Sequence, residues 1–182
     1  MGLPKIKTDQ KFTYTEFCSW TDDERWELID GVAYNMSPAP SSRHQRISFK
    51  ISLLLGNFLE GKPCIPFTAP FDVYFPLDPD QSINSIDTIV QPDLSVICDA
   101  KKIFDKGCMG APDLIIEILS PSTGKKDLNE KFQLYEKNGV KEYWVVDPGN
   151  KYIEIFLLEL KGNEISRYDS GTLIPNVTLF EV

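Results

Sequence analysis

A single histidine, His44, stands in a chain of 182 residues. With one imidazole and four scattered cysteines (Cys18, Cys64, Cys98 and Cys108), no Cys/His cluster of zinc spacing can be assembled, and no C-x-x-C pair occurs. Long apolar runs are missing too. Nowhere do eighteen consecutive apolar residues appear, so nothing reads as a membrane-spanning helix. The opening MGLPKIKTDQKFTYTEF has no apolar core of a secretory signal. Basic charge is scarce: 19 Lys and Arg face 27 Asp and Glu, a formal net charge of −8. That balance excludes a nonspecific nucleic-acid coat, which is normally basic. It leaves room for a nuclease, whose carboxylates are offset by metal ions and a few placed cations. Repeats, low-complexity tracts and linkers are also absent. The expectation is one cytoplasmic domain with free thiols, spanning 1–182 with a core of about 12–160.

What is present centres on Asp113 to Lys131, DLIIEILSPSTGKKDLNEK. Leu114-Ile115-Ile116 and Ile118-Leu119 surround one carboxylate, Glu117, between Pro112 and Pro121. Such a run suits a strand buried on both faces. An ionised, unpaired Glu there costs several kcal/mol, so Glu117 is protonated, paired with a nearby Lys or Arg, or bound to a metal. The metal reading is the sharper one, because costly groups concentrate where function needs them.

Along the chain, Thr13 to Ser19 reads as a short helix. Trp26 to Ile29, Asp30-Gly31 and Val32 to Met36 form a hairpin pattern, since Asp-Gly supplies the positive φ that a two-residue turn requires. Glu27 alternates with Trp26 and Leu28 and shares a face with Ile29; it is either a solvated strand carboxylate or, if Ile29 faces the core, an inward one. His44, Ile47, Ile51, Leu54 or Leu55, and Phe58 make one stripe of an amphipathic helix that begins after a Ser cap and stops at Gly61. His44 therefore lies on the core side of the first turn, as a satisfied core residue or a site residue. Cys64 to Phe75 reads as one strand interrupted by Pro66 and Pro70, and Ile89 to Cys98 as another with Asp93 at a strand start or bend. Leu77 to Asp87 and Asp99 to Ala111 read as loops.

A helix then runs from the Ser120-Pro121-Ser122-Thr123 cap to about Asn138, with Gly139 as its stop. Its wheel gathers Leu128, Phe132 and Tyr135 on one side with Lys131 among them, aimed at the sheet unless it snorkels to water. Glu142 to Asp147 and Lys151 to Leu160 are strands joined by Asp147-Pro148-Gly149-Asn150, and the tail to Val182 adds one or two peripheral strands. The fold class is α/β: a mixed β-sheet flanked by helices.

Pattern alone thus directs Glu27, His44, Asp93, Glu117 and Lys131 inward. Three acids, an imidazole and an amine suit a magnesium site for phosphodiester hydrolysis, since Mg²⁺ prefers oxygen ligands, retains waters and needs only one or two protein carboxylates. Asp93 and Glu117 are the candidate ligands for Mg²⁺ (or Mn²⁺), with the main-chain carbonyl of Ile118 as a further one. No aromatic-basic stripe for stacking a single strand is visible.

The segments WELIDG, SPAPSSRHQ, VQPDLSVIC, GAPDLIIEILSPST and KKDLNEKFQLYEKNGVKEYWVVDP, over roughly Phe12 to Leu160, resemble the Uma-two family of restriction endonucleases. That family belongs to the PD-(D/E)XK nuclease-like superfamily, and the resemblance implies a restriction-endonuclease-like core. It implies that Asp93 is the PD acid, Glu117 the second acid, Glu27 the N-terminal acid and His44 the helix-start histidine. The superfamily pattern puts a Lys two residues after the second acid, where this chain has Leu119; Lys131 is the substitute, with Asp127 and Tyr135 at i−4 and i+4. The expected activity is Mg²⁺-dependent hydrolysis of DNA. A homodimer is expected for double-strand cutting, with the C-terminal strands as contacts. The alternative is a non-catalytic nucleic-acid- or protein-binding module on the same scaffold, which the missing strand Lys and the acidic charge favour.

Overall fold

The computed structural model describes residues 10–20, 24–36, 39–120, 125–158 and 164–169, and of 125–129 and 164–169 the backbone alone. In chain order the elements are α1 (Tyr14–Phe17), β1 (Trp26–Ile29), β2 (Val32–Asn35), α2 (Ser42–Leu59), β3 (Ile65–Thr68), β4 (Asp72–Tyr74), β5 (Ile89–Val90), β6 (Leu94–Ile97), β7 (Ile103–Phe104), β8 (Gly107–Met109), β9 (Leu114–Ile118), α3 (Lys125–Lys137), β10 (Glu142–Asp147), β11 (Tyr152–Leu157) and β12 (Glu164–Asp169). The α/β class holds, but the strands form two mixed six-stranded sheets where one was expected: β2-β1-β5-β4-β8-β7 and β12-β11-β10-β9-β6-β3.

The reason lies in two prolines. Each of the two long segments read as a single strand is two strands, one in each sheet. Pro70 separates β3 from β4, and Pro92 separates β5 from β6. A proline has no N–H to give a ladder, so the chain changes sheet where the ladder is broken. The Asp99 to Ala111 stretch, expected as loop, contains the β7–β8 hairpin, and β8 runs parallel to β4. Gly107 makes that approach possible: at φ +153°, a Cβ there would lie 2.1 Å from the Asp72 carbonyl oxygen.

The local signals survive. Asp30 (φ 47°) and Gly31 (φ 78°) turn β1 into β2 with Ile29 opposite Val32. Ser41 caps α2 by accepting the His44 N–H, and Ile47 and Ile51 are buried. Phe58, expected on the core stripe, is instead 67% exposed, with the Lys62 ammonium 3.2 Å from its ring centre. The last turn of the helix continues beyond the apolar cluster that Ile47, Ile51, Leu54 and Leu55 cover.

Packing then fixes where polar groups can sit. On one face of the second sheet, Ile47 and Ile51 of α2 meet Leu94, Ile116, Ile118, Val146, Ile153 and Ile155. On the other face Ile115, Tyr143 and Val145 meet Leu134 and Tyr135 of α3, and Val73, Phe75 and Val90 from the first sheet. A third cluster, with Tyr14, Trp26, Leu28, Tyr74 and Ile89, closes the far side of the first sheet.

The cysteine expectation needs correction. Cys64 and Cys98 form a disulfide, while Cys18 and Cys108 are free. Ile65 pairs with Ile97 across β3 and β6, so the residues one step outward, Cys64 and Cys98, face each other. The thiol argument for a cytoplasmic location therefore loses two of its four residues. No helix among the described residues is long and apolar enough to cross a membrane. Of the C-terminal strands proposed as dimer contacts, β12 is present, and its side chains and residues 170–182 lie outside the described residues.

Candidate active site

The register of β6 with β9 sets Leu94 opposite Ile116. Carried one residue further, it brings Asp93 opposite Glu117. The Ile118 N–H donates to Asp93 Oδ2 at 2.8 Å, and His44 Nε2 lies 3.1 Å from the same oxygen. His44 reaches it because the Ser41 cap starts α2 there. The hydrogen bond to Asp93, helped by that carboxylate's charge, raises the imidazole above its ordinary pKa although burial pulls the other way.

Glu117 shares a face with Ile115, because side chains alternate along β9. Over that face α3 brings Lys131 and Tyr135, one turn apart. Lys131 Nζ donates to Glu117 Oε1 at 2.8 Å and to Glu27 Oε1 at 3.2 Å; the Tyr135 hydroxyl donates to Glu117 Oε1 at 2.7 Å. Leu119, where the superfamily pattern has Lys, packs against the apolar cluster beneath α3. The amine arrives from the helix above instead.

Glu27 comes from the first sheet, and its Oε1 also accepts the Gln91 N–H at 2.9 Å. The site thus lies on the seam where Gln91-Pro92-Asp93 carries the chain from one sheet to the other. All five inward residues are brought together, as two adjoining sets: His44 with Asp93, and Lys131 with Glu27 and Glu117. The side chain of Asp127, read as an i−4 partner of Lys131, lies outside the described residues.

Burial sets the electrostatics. The side chain of Glu117 is only 13% exposed and that of Glu27 8%. Burial is the main reason that the Glu117 carboxyl is pushed up to about 7, with Asp93 and Glu27 adding repulsion and Lys131 opposing them. Burial would lower the Lys131 ammonium, but Glu117 and Glu27 outweigh it and hold the amine charged. Once Glu117 ionises, three carboxylates face one Lys and one His, an excess of negative charge in a site of low dielectric that a cation offsets.

Sequence reasoning missed two members. Gln91 supports Glu27 through its N–H, while its side chain donates to Asp72 Oδ1 at 2.6 Å and accepts from Arg25. Nothing in the sequence marks it, because its role follows from the sheet crossing. Tyr143 on β10 packs edge-on against Tyr135, ring centres 5.0 Å apart. Its hydroxyl, like His44 Nδ1, is buried with no hydrogen-bond partner among the described residues.

The donor set fits a hard divalent cation. Asp93 Oδ1 and Glu117 Oε2 accept no hydrogen bond from the described residues, since the partners of both groups converge on Oδ2 and Oε1. Oxygen donors with neither thiolate nor a second imidazole match Mg²⁺ or Mn²⁺. Two carboxylates and a carbonyl would leave about half of an octahedral shell to water; among the described residues no group of three or more His, Cys, Asp or Glu could hold an ion by itself.

Comparison with known proteins bears on the same architecture. The Uma2 family profile, described as "Putative restriction endonuclease", matches residues 13–179. The chain belongs to the Uma2 family. Two uncharacterized proteins of Synechocystis sp. resemble this Uma2 chain. One, slr1290, is 30% identical over 149 residues, covering 80% of this chain and 74% of its own length. The other, sll1609, is 28% identical over 127 residues, covering 68% and 67%. A crystal structure from Anabaena variabilis, described as a putative nuclease belonging to DUF820, superposes with a TM-score of 0.69 over 92% of this chain and 90% of that one. At 20% identity that likeness establishes the shared fold.

Proposed function

We propose that this Uma2 protein is a Mg²⁺-dependent (or Mn²⁺-dependent) endonuclease that hydrolyses DNA phosphodiester bonds. The observation that carries the reading is the pair Asp93 and Glu117, each with one carboxylate oxygen that accepts nothing from the described residues, with the charged Lys131 on Glu117. Asp93, Glu117 and the Ile118 carbonyl would hold the metal. Bound there, the ion would polarise the scissile phosphate and acidify a water molecule.

The chain's own groups have separable tasks in this reading. His44 and the Ile118 N–H orient Asp93 by engaging one oxygen. Tyr135 does the same for Glu117. Lys131 presents its ammonium to the developing phosphoryl charge, and Glu27 keeps that ammonium over the site. One such centre cuts one strand, so double-strand cleavage would use a homodimer. The reading also takes the protein to be cytoplasmic. The test is cleavage of plasmid DNA with Mg²⁺ or Mn²⁺: activity in the wild type and its loss in Glu117→Gln support the reading, while undiminished cutting by that variant removes the proposed site.

A second reading, a non-catalytic binding module, is favoured by Leu119 at the usual Lys position and by the small number of protein ligands. Thermal melting separates the two. Mg²⁺ or Mn²⁺ should raise the melting temperature, and Asp93→Ala should erase that shift. Nucleic-acid binding that ignores metal altogether would favour the module.

A further inference from the structure

The register of β10 with β9 pairs Tyr143 with Ile115. Side chains alternate along a strand, so Tyr143 points to the α3 face that also carries Glu117, a diagonal neighbour roughly 8 Å away by strand geometry. Tyr143 is fully buried, and its ring packs against those of Tyr135 and Phe156. Its hydroxyl nevertheless has no hydrogen-bond partner among the described residues. A buried hydroxyl left in that state costs free energy, and each such group calls for a reason. Burial above all keeps its proton on; Glu117 adds to this and Lys131 opposes it, so the hydroxyl lies within electrostatic reach of both groups. Lys131 has the complementary surplus. An ammonium carries three N–H donors. Two of them are used, on Glu117 Oε1 at 2.8 Å and Glu27 Oε1 at 3.2 Å, and the third meets no acceptor among the described residues.

We infer that Tyr143 is a positioning residue of the metal-loaded site, its hydroxyl oxygen accepting from the Lys131 ammonium once a divalent cation occupies Glu117. The inference rests on the proposed nuclease reading and deepens it. With a cation on Glu117, the charge that draws Lys131 to that carboxylate is offset, and ammonium and cation repel each other. Glu27 still holds one N–H. The Tyr143 oxygen is an uncharged acceptor, so it can take a second N–H without competing for the carboxylate charge that binds the cation. The third N–H is then left for a phosphoryl oxygen, the task the nuclease reading gives to Lys131. In the metal-free fold the hydroxyl is idle because it belongs to the other arrangement of the same side chains.

Tyr143→Phe removes the hydroxyl and keeps the ring, so it should act in opposite senses on the two states. Without metal it deletes an unsatisfied group and should leave the melting temperature at or above that of the wild type. Mn²⁺ affinity, read by calorimetry at neutral pH, should fall about tenfold, the size expected for losing one hydrogen bond to a charged group. A hydroxyl with a packing role alone would lower the melting temperature and leave the affinity in place. In a Lys131→Met background no ammonium remains for the hydroxyl to meet, and Tyr143→Phe should then change Mn²⁺ affinity by less than about twofold. Circular dichroism checks the fold of each variant. Wild-type Mn²⁺ affinity in Tyr143→Phe overturns the inference alone, as does an equal loss with and without Lys131. A lower melting temperature of metal-free Tyr143→Phe also overturns it, because the hydroxyl would already have a partner. A wild type that binds no Mn²⁺ sinks the nuclease reading and the inference together. The expected split without any DNA cleavage sustains the inference and sinks the nuclease.

Discussion

Replacing Glu117 by Gln should flatten the pH dependence of stability in the metal-free protein. The Glu117 carboxyl rises from 4.5 to about 7 on folding, chiefly through burial. Its folded pKa lies above the unfolded one, so the unfolded chain gives up this proton first as pH rises. Between about 4.5 and 7 the unfolded state therefore binds fewer protons, and stability falls with increasing pH. Below that window the contribution is neutral; above it the full cost of an ionised Glu117 is felt, on the order of 3 kcal/mol for a shift of this size. Gln keeps the shape, still accepts from Tyr135 and has no proton to lose in this range. His44, also raised, adds a fall in the same direction through and above 6.5 that the substitution leaves in place. The assay is urea unfolding in EDTA at half-unit steps from pH 4.5 to 8. A wild type losing roughly 3 kcal/mol more than Glu117→Gln across this range supports the argument. Parallel curves for the two proteins would refute it, because Glu117 would then ionise in the fold as easily as in the unfolded chain.

Other outcomes follow from the same interactions. Lys131→Met leaves Glu27 and Glu117 facing each other without their shared cation and should cost ~3 kcal/mol at pH 8; adding Glu117→Gln to it should recover most of that loss in a double-mutant cycle. Mn²⁺ binding near pH 6 should release close to one proton, read by calorimetry in buffers of different ionisation enthalpy, because Glu117 must ionise to bind. Gly107→Ala should destabilise by ~2 kcal/mol or more in denaturant unfolding, since its Cβ would collide with the Asp72 carbonyl. Reduction of Cys64–Cys98, which closes a separation of 34 residues, should cost up to about 4 kcal/mol and leave metal binding unchanged.

Much of the site was legible because it is written in short-range periods. Alternation turned Glu27 and Glu117 inward, the helical stripe did so for His44 and Lys131, and the Asp-Gly turn set the first hairpin. The direction of Lys131 needed only its position on the wheel, and its ammonium does meet Glu117. Pairings between distant strands were not legible. A proline inside an apolar run announces a break, yet it does not say that the two halves join different sheets, and the seam that holds Gln91 follows from that split alone. The disulfide was hidden for the same reason: Cys64 faces Cys98 only through the β3–β6 register. Tyr143 reads as an ordinary core aromatic, and its unpartnered hydroxyl emerges only when the surrounding donors and acceptors are counted.

The proposed nuclease reading stands or falls on a divalent cation held by Asp93 and Glu117. The most direct measurement is anomalous scattering from a crystal soaked in Mn²⁺. A peak is expected between Asp93 Oδ1 and Glu117 Oε2, about 2.1–2.3 Å from each oxygen, with Lys131 still close by. Clean maps in which Lys131 alone bridges the carboxylates, with no Mn²⁺ peak there, would contradict it.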